Sequence, residues 1–382
     1  MKVMRYNYPA QFATTLDDLV ERIRAVLLGG TYILGEDLER FERDFARYLG
    51  VQHVAGVNSG TDALIMALRV LGIGPHDEVI THANTFHATV AAIQLAGATP
   101  ILVDADPSSF LIDEAQMAAA ITPRTRALLP VHLYGKPTPM EALLGEARRH
   151  GLHVIEDAAQ AHGAAIGSCR AGTVGDVGCF SFHPSKNLAA AGDGGALVTD
   201  SATHHERILW YRGLGQRAQN EHVVVGLNSK LDVIQALVLT SKLPRLDEWN
   251  RRRATIARRY RERLQDLPVY VQATDVGETH VYHLFQVGTP DRDGLLHHLR
   301  AAGVDATVRY PVPIHLQPAF VDRGWRAGQF PVAERLAREL LCLPIRPDMT
   351  EDEIDYVADH VGGFFAGGRS RAVVPTPAEQ RA

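Results

Sequence analysis

Short apolar segments alternate with segments of helical periodicity through the first half of the chain, and this alternation restricts the fold more than any other feature. The pattern predicts strands at 78–80, 100–104, 126–131 and 153–157, and helices at 63–72, 87–96, 113–121 and 139–150. Short buried strands joined by helices are typical of a mostly parallel sheet that is covered on both faces. We therefore expect an α/β fold with a doubly wound core.

The pattern changes near Leu243-Pro244-Arg245. Beyond this point it predicts a long helix at 246–267, a strand at 281–287, and helices at 292–302 and 350–361. We expect a large domain at 1–245 and a smaller α+β domain at 246–365. From residue 366 onward little apolar surface is available for burial, so residues 366–382 are predicted to form a disordered tail.

The charge balance argues against several classes of partner. The chain has 39 Lys and Arg against 44 Asp and Glu, a net charge of −5, which favours neither nucleic acid nor an anionic membrane. The arginines at 251–253 and 258–259 could form a basic patch for phosphates, but a solvated helix face explains them better. No apolar run approaches the ~20 residues that span a bilayer, and the N-terminus lacks a signal core.

Cysteine and histidine usage predicts neither a disulfide framework nor a metal site. Cys169, Cys179 and Cys342 are few and scattered, which favours free thiols in a reducing cytoplasm. The histidine pairs at 204–205 and 297–298 lack a third ligand at metal-binding spacing. We expect a cytoplasmic protein without a metal.

Polar residues that follow apolar runs are the first candidates for a site, because ligands of parallel sheets bind at the carboxyl ends of strands. Ser59-Gly60-Thr61 opens a predicted helix and could bind a phosphate, although for this segment taken alone an ordinary N-cap is the better interpretation. Asp157 ends a predicted strand, with Gln160 and His162 close behind it. A capping role for Asp157 is an equally good interpretation.

Lys186 adds a third candidate group to the segment at 59–61 and to Asp157. It lies in a segment rich in Ser, Pro and Gly, in a chain that elsewhere prefers arginine. A lysine in a site can lose its proton and form a Schiff base, which arginine cannot do, although most lysines are merely solvated. A phosphate-binding turn, an anion for a ring nitrogen and an amine for an aldehyde are together what pyridoxal 5'-phosphate requires.

Motifs along nearly the whole chain resemble the DegT/StrS-type sugar aminotransferases, which are fold-type-I pyridoxal-phosphate enzymes. The matching segments are YILG at 32–35, NSGTDAL at 58–64, ANTF at 83–86, PVHLYG at 130–135, EDAAQAHG at 156–163, SFHPSKN at 181–187, NSKLD at 228–232 and HLQP at 315–318. The resemblance implies a large domain with a mostly parallel mixed sheet and a smaller C-terminal domain.

The resemblance also implies roles for single residues. Lys186 would hold the cofactor through a Schiff base and act as the catalytic base and acid, and Asp157 would pair with the ring nitrogen. Gln160 would contact the ring hydroxyl, and Phe86 would stack on the ring. The residues that would hold the phosphate are Gly60, Thr61 and Ser181. Asn228 would reach the phosphate in the other subunit, so a homodimer with a shared active site is implied.

The implied reaction is transamination of a nucleotide-linked keto-deoxysugar, with glutamate as donor and 2-oxoglutarate as product. The segment at 310–320 resembles enzymes that aminate C3 of dTDP-3-keto-6-deoxyhexoses, with Tyr32, Tyr310 and His315 as candidate substrate contacts. Those enzymes usually have His-Tyr-Pro, whereas this chain has Arg309-Tyr310-Pro311, and the arginine could meet an extra anion or merely cover the surface.

Four alternatives stay open, of which aminocyclitol formation is the least favoured. C4 amination is performed by a related subgroup with a similar HLQP segment. A dehydratase or lyase could use the same scaffold, but relatives of that kind replace the lysine, which is present here as Lys186. A non-catalytic regulator could have kept the fold.

Overall fold

The computed structural model describes residues 1–367, and its main element is a seven-stranded sheet. The predicted tail at 366–382 lies outside the described residues except for Ala366, which ends the last helix, and Gly367. The α-helices are α1 Leu16–Gly29, α2 Glu36–Leu49, α3 Gly60–Val70, α4 His87–Leu95, α5 Glu114–Ala119, α6 Glu141–His150, α7 Ala202–Arg212, α8 Val233–Lys242, α9 Leu246–Leu264, α10 Arg292–Ala301, α11 Pro331–Glu339 and α12 Glu351–Ala366.

The strands are short, and most of those in the main sheet are almost fully buried. They are β1 His53–Val57, β2 Glu78–His82, β3 Thr99–Val103, β4 Thr125–Leu128, β5 His153–Asp157, β6 Ala165–Ile166, β7 Cys169–Arg170, β8 Val177–Ser181, β9 Gly195–Thr199, β10 Gln216–Ala218, β11 Glu221–His222, β12 Tyr270–Val271, β13 Glu278–Thr279, β14 Phe285–Gly288 and β15 Leu340–Leu343.

The strands of the main sheet follow the order β1-β9-β8-β5-β4-β2-β3. The pairs β5–β8, β4–β5, β2–β4 and β2–β3 are parallel, whereas β9 is antiparallel to both of its neighbours, β1 and β8. The carboxyl ends of β1, β5 and β8 therefore lie on one edge of the sheet. The predicted α/β fold with a mostly parallel, helix-flanked sheet is confirmed.

Helix α2 shows how the sequence fixes the position of one of these edge segments. Its buried residues Leu38, Phe41 and Phe45 follow the i, i+3, i+7 spacing of one helix face. The ring of Phe45 packs edge-on against Phe180 at 5.2 Å, and that of Phe41 packs against Phe182 at 5.4 Å. Each such aromatic pair contributes ~0.5–1.5 kcal/mol beyond simple burial, so the end of β8 is held firmly against α2.

A second, three-stranded sheet with the order β12-β14-β15 forms beyond residue 245. The strand predicted at 281–287 is shorter, Phe285–Gly288, because the backbone at Tyr282 turns with a φ of 44°. The N-terminal residue Val3 also belongs here, since it pairs with Val304 and is fully buried. The division into domains at 1–245 and 246–365 stays a prediction.

Helix α9 corrects one part of the predicted solvated arginine face. Arg253 is buried, and its guanidinium donates to the carbonyl oxygens of Ile345, at 2.6 Å, and Tyr282. Arg259 instead lies at the surface and binds Asp355 on α12. The run of arginines therefore contains both a buried structural cation and surface ion pairs.

Residues 1–367 contain no membrane-spanning helix, no cluster of metal-ligating side chains and no disulfide. No helix there combines the length and the apolar composition that crossing a bilayer requires. No group of three or more His, Cys, Asp and Glu side chains in the described part of the chain is placed to hold a metal ion. All three cysteines, Cys169, Cys179 and Cys342, are free thiols.

Candidate active site

A cavity of about 320 Å³ opens at the edge of the main sheet where β1, β5 and β8 end. Some of its walls come from these strand ends. Others come from two segments later in the chain, at 283–284 and 309–310. The structure brings most of the predicted site residues together here. Those lining the cavity are Gly60, Thr61, Phe86, Asp157, Gln160, Ser181, Lys186 and Tyr310.

One end of the cavity is the amino terminus of α3. Ser59 caps the helix by accepting a hydrogen bond from the amide of Asp62 at 3.1 Å, so the N-cap interpretation of this segment is correct for Ser59. Gly60 allows the helix to approach β8, because a Cβ there would lie 2.7 Å from Cβ of Ser181. The N–H groups of a first turn have no acceptor within the helix. Together with the hydroxyls of Thr61 and Ser181, they suit an anion such as phosphate.

Asp157 also lines the cavity, and both of its carboxylate oxygens are hydrogen-bonded. Oδ2 accepts from the hydroxyl of Thr89 at 2.9 Å, and Oδ1 accepts from the amide of Ala159 at 3.1 Å. Burial raises the pKa of Asp157, while these two donors and the charge of Lys186 oppose the rise. A buried carboxylate of this kind gains most from a neighbouring cation, which a protonated ring nitrogen would supply.

Gln160 lines the cavity and connects two tyrosines, Tyr134 and Tyr310, whose ring centroids lie 6.2 Å apart. Its Oε1 accepts from the backbone amide of Tyr134 at 2.8 Å, and its Nε2 donates to the hydroxyl of Tyr310 at 2.9 Å. Both tyrosines have left-handed backbone conformations, with φ of 63° and 55°, which is a strained arrangement that clusters at functional sites. The amide keeps one free N–H for a ligand, since Nε2 has two hydrogens.

Lys186 lies on the loop that joins β8 to the antiparallel strand β9. The loop is anchored at its base, where the amide of Phe182 donates to the carbonyl of Gly194 at 2.7 Å. Asn187 ties the loop to the remainder of the chain through hydrogen bonds from its side-chain amide to Asn250 and to the carbonyl of Val281. Burial lowers the pKa of Lys186 to about 8, and the nearby charge of Asp157 acts in the opposite direction. The amine is therefore easily deprotonated near neutral pH.

Three of the predicted residues do not line the cavity. Asn228 is exposed, and its backbone carbonyl accepts from the side-chain amide of Asn58 at 3.0 Å. Tyr32 is also exposed, and its hydroxyl donates to the carbonyl of Leu27. His315 is buried outside the cavity wall, with Nε2 3.0 Å from a carboxylate oxygen of Glu334. The arrangement of His315 is that of a structural contact and lends no support to its predicted role with substrate.

Sequence reasoning missed two residues of this region. Thr89 binds Asp157, but it lies inside a predicted helix where no motif distinguishes it. His283 lines the cavity beside Lys186, yet it belongs to a segment that reads as an ordinary strand. The sequence did single out Arg309, which the structure places in the cavity wall next to Tyr310.

Pyridoxal phosphate fits this set of groups. The free N–H groups at α3 suit its phosphate, the buried carboxylate of Asp157 its ring nitrogen, and the spare N–H of Gln160 its ring hydroxyl. Lys186 offers an amine for the aldehyde. Phe86, half exposed, tilts its ring toward Tyr310 at a centroid distance of 5.8 Å and leaves one face open to the cavity.

Comparison with known proteins agrees with the fold. The sequence pattern of the DegT/DnrJ/EryC1/StrS aminotransferase family matches residues 14–362. The chain is 47% identical over 340 residues to a dTDP-3-amino-3,4,6-trideoxy-alpha-D-glucose transaminase of Streptomyces venezuelae, covering 89% of this chain and 90% of that protein. It is 41% identical over 369 residues to a pleiotropic regulatory protein of Geobacillus stearothermophilus, covering 96% and 99%.

A solved structure is similar over almost the whole chain. The crystal structure of S. venezuelae DesV in complex with a ketimine intermediate superposes with a TM-score of 0.93 at 45% identity, covering 95% of this chain and 98% of that one. Fold and sequence together define an aminotransferase. The chain belongs to the DegT/DnrJ/EryC1/StrS aminotransferase family, which confirms the resemblance drawn from its motifs.

Proposed function

We propose that this chain is a pyridoxal-phosphate-dependent aminotransferase that converts a nucleotide-linked keto-deoxysugar into an amino sugar. The favoured substrate is a dTDP-3-keto-6-deoxyhexose and the favoured donor is glutamate, which leaves as 2-oxoglutarate. The observation that carries the proposal is the single cavity that joins Lys186, Asp157 and Gln160 to the free amides of α3. The catalytic roles of Lys186 and Asp157 are part of the proposal.

The residues of the cavity have distinct tasks in this reaction. When bound, pyridoxal phosphate supplies an aldehyde that condenses with amines and a ring that withdraws electrons from the adjacent carbon. Asp157 keeps the ring nitrogen protonated, and so maintains this withdrawal. Nζ of Lys186 first holds the cofactor and then carries a proton between the donor's α-carbon and the cofactor carbon, as base and then acid. Phe86 and Gln160 keep the ring in one orientation.

The choice of a C3-aminated sugar rests on similarity. The Streptomyces venezuelae relative at 47% identity is named as a transaminase of a dTDP-linked 3-amino sugar. The segment at 310–320, which includes Tyr310, points to the same class. Amination at C4 and a different nucleotide are outcomes that a substrate panel distinguishes.

A homodimer is the proposed active unit. Apolar side chains are exposed on α1 and just after it: Leu27 is 54% exposed, Leu28 74% and Ile33 48%. Exposed apolar side chains grouped in one segment of the chain favour contact with another subunit. Such contact would bring Asn228 and Tyr32, which are exposed in the single chain, to the site of a second copy.

Free Cys169, Cys179 and Cys342 fit the proposed cytoplasmic location.

The first experiment is an absorbance spectrum of the purified protein with pyridoxal phosphate, before and after glutamate is added. We expect a band of the bound aldehyde form that glutamate converts into the band of the amine form. Lys186→Ala loses the first band, whereas Lys2→Ala, which alters an exposed lysine, keeps it. A panel of 3-keto and 4-keto nucleotide sugars is then added to the amine form.

The outcomes separate the alternatives. Recovery of the aldehyde band with a 3-keto sugar supports the proposal, and recovery only with a 4-keto sugar shifts the assignment to C4. A lyase would consume a sugar without forming 2-oxoglutarate from glutamate. The Geobacillus stearothermophilus relative is named as a regulatory protein, and a regulator would bind the cofactor without converting it with any donor.

A further inference from the structure

We propose that Arg309 forms an oxyanion subsite of the cavity and binds the α-carboxylate of the amino donor. This inference rests on the proposed transaminase function and deepens it. Family resemblance does not supply it, because the similar enzymes usually have histidine at this position. It starts from the arginine that this chain carries there.

The guanidinium of Arg309 is fixed in the cavity wall without a counter-charge. Its Nη2 donates to the hydroxyl of Tyr6 at 2.7 Å, a neutral acceptor contributed by the N-terminal segment. Its Nε is buried and has no hydrogen-bond partner. Arg259 on α9, by contrast, binds the carboxylate of Asp355. Within residues 1–367, no carboxylate lies within ion-pair distance of Arg309, so its charge is open to a ligand.

Among the side chains that line the cavity, Arg309 is the one best suited to bind an anion of the substrate. Among the lining residues, only Lys186 and Arg309 are basic groups other than histidine. Burial lowers the pKa of both lining histidines, His183 and His283, so they are neutral at physiological pH. Lys186 is committed to the cofactor in the proposed reaction. An arginine also presents a planar fork that matches a carboxylate with two hydrogen bonds.

The position of Arg309 selects which oxyanion it meets. Arg309 precedes Tyr310, whose hydroxyl accepts from Gln160, so it lies on the side of the cavity assigned to the ring hydroxyl and the reacting carbon. Its charge is close enough to Lys186 to act on the pKa of that amine. In an amino acid the α-carboxylate is two bonds from the reacting nitrogen. In a 3-keto nucleotide sugar the nearest phosphate is four bonds from the reacting carbon. The α-carboxylate of the amino donor therefore matches the position of Arg309 better than the phosphate of the nucleotide sugar does.

The test separates the two half-reactions in the holoenzyme. In single-turnover experiments, the aldehyde form is mixed with glutamate, and the amine form is mixed with the keto nucleotide sugar. Both are followed by cofactor absorbance. Arg309→Gln is expected to lower the rate-to-Kd ratio of the glutamate half-reaction by about 10- to 100-fold, as for loss of hydrogen bonds to a charged group. The sugar half-reaction is expected to change less than threefold. Arg309→Lys should recover part of the loss.

Two further variants serve as controls for this test. Arg309→His restores the residue usual in similar enzymes, and it provides a second measurement if Arg309→Gln does not fold. Arg258→Gln removes an exposed arginine of α9 and should leave both half-reactions unchanged. A loss confined to the sugar half-reaction would assign Arg309 to the sugar's diphosphate and overturn the donor assignment. Equal losses in both halves, or none in either, would also overturn it.

Failure of the proposed function would look different. In that case the wild-type protein itself would show no conversion with glutamate or with any keto sugar. A wild type that completes both half-reactions, together with an Arg309→Gln variant that matches it, would refute the role of Arg309 alone.

Discussion

The hydroxyl of Thr89 donates a hydrogen bond to Oδ2 of Asp157 at 2.9 Å, in a fully enclosed part of the wall. Thr89 in turn lies 2.9 Å from the hydroxyl of Thr85, so the carboxylate is held by a short chain of hydroxyls. The hydrogen bond from Thr89 lowers the pKa of the Asp157 carboxyl and so favours its ionised form. Without it, one oxygen of a buried carboxylate would lose its donor.

Thr89→Val is therefore expected to weaken catalysis without emptying the site. It removes the donor to Asp157, so the pKa of the carboxyl rises further and the ionised form is lost at a higher pH. The acid limb of the pH–rate profile should move to higher pH, and the rate at neutral pH should fall about 10-fold. Thr89→Ser keeps the hydroxyl and should retain the wild-type profile. An unchanged acid limb in the valine variant would show that this hydrogen bond does not set the ionisation.

The lowered pKa of Lys186 predicts how cofactor capture depends on pH. Only the unprotonated amine attacks an aldehyde, and burial places the pKa of this amine at about 8. The rate at which the cofactor-free protein takes up pyridoxal phosphate should therefore rise as the pH increases through about 8 and then level off. Stopped-flow absorbance from pH 6 to 10 measures this curve. A rate that is still rising steeply at pH 10, as expected for the ordinary lysine value of about 10.4, would contradict the buried environment.

Mixed dimers test whether Asn228 serves the site of the other subunit. In a hybrid of one Lys186→Ala chain and one Asn228→Ala chain, one site has both residues intact and the other has neither. Random assortment puts half of the dimers in this class, so the mixture should recover about a quarter of wild-type activity. Mixing Lys186→Ala with Asp157→Asn chains should recover none, because both residues line the same cavity of one chain. No recovery in the first mixture would assign Asn228 to the site of its own subunit.

Gly60 is required by close packing, and alanine there should destabilise the fold. The new Cβ would lie 2.7 Å from Cβ of Ser181, which overpacks the contact between α3 and β8. We expect a loss of about 1–3 kcal/mol in the free energy of unfolding, measured by urea titration. The double variant Gly60→Ala/Ser181→Gly should recover most of it.

Gly145 provides the matched control for this experiment. It lies within α6, and a Cβ added there meets no atom within 4 Å. Gly145→Ala should therefore raise stability by up to about 1 kcal/mol through helix propensity. If Gly60→Ala were equally stabilising, the close contact with Ser181 would not constrain the chain.

The sequence predicts the main sheet well because the strand signal there is local. The segment at 153–157 has an apolar centre, Val154-Ile155, and the structure has β5 over the same five positions, His153–Asp157. The cavity was predictable for a related reason. Parallel strands place their carboxyl ends on one edge, so Asp157, Ser181 and the start of α3 had to meet there.

Long-range packing was beyond the reach of sequence patterns. Arg253 follows two other arginines, and this sequence context suggests an exposed side chain. It is nevertheless buried, and it donates to the carbonyls of Tyr282 and Ile345, which lie 29 and 92 positions later in the chain. His315 belongs to a motif that suggests a substrate contact, but Glu334 takes its Nε2. The partnership of Thr89 with Asp157 spans 68 positions, and neither residue's neighbours in the sequence reveal it.

The hydrogen bond between Gln160 and Tyr310 joins residues 150 positions apart. All seven strands of the main sheet end by Thr199, so a chain emerging from the ribosome can assemble that sheet well before Tyr310 has been synthesised. A product cut short before residue 283 would lack His283, Leu284, Arg309 and Tyr310, and the cavity would be open on that side. The cavity is therefore complete only once synthesis of the chain has passed Tyr310.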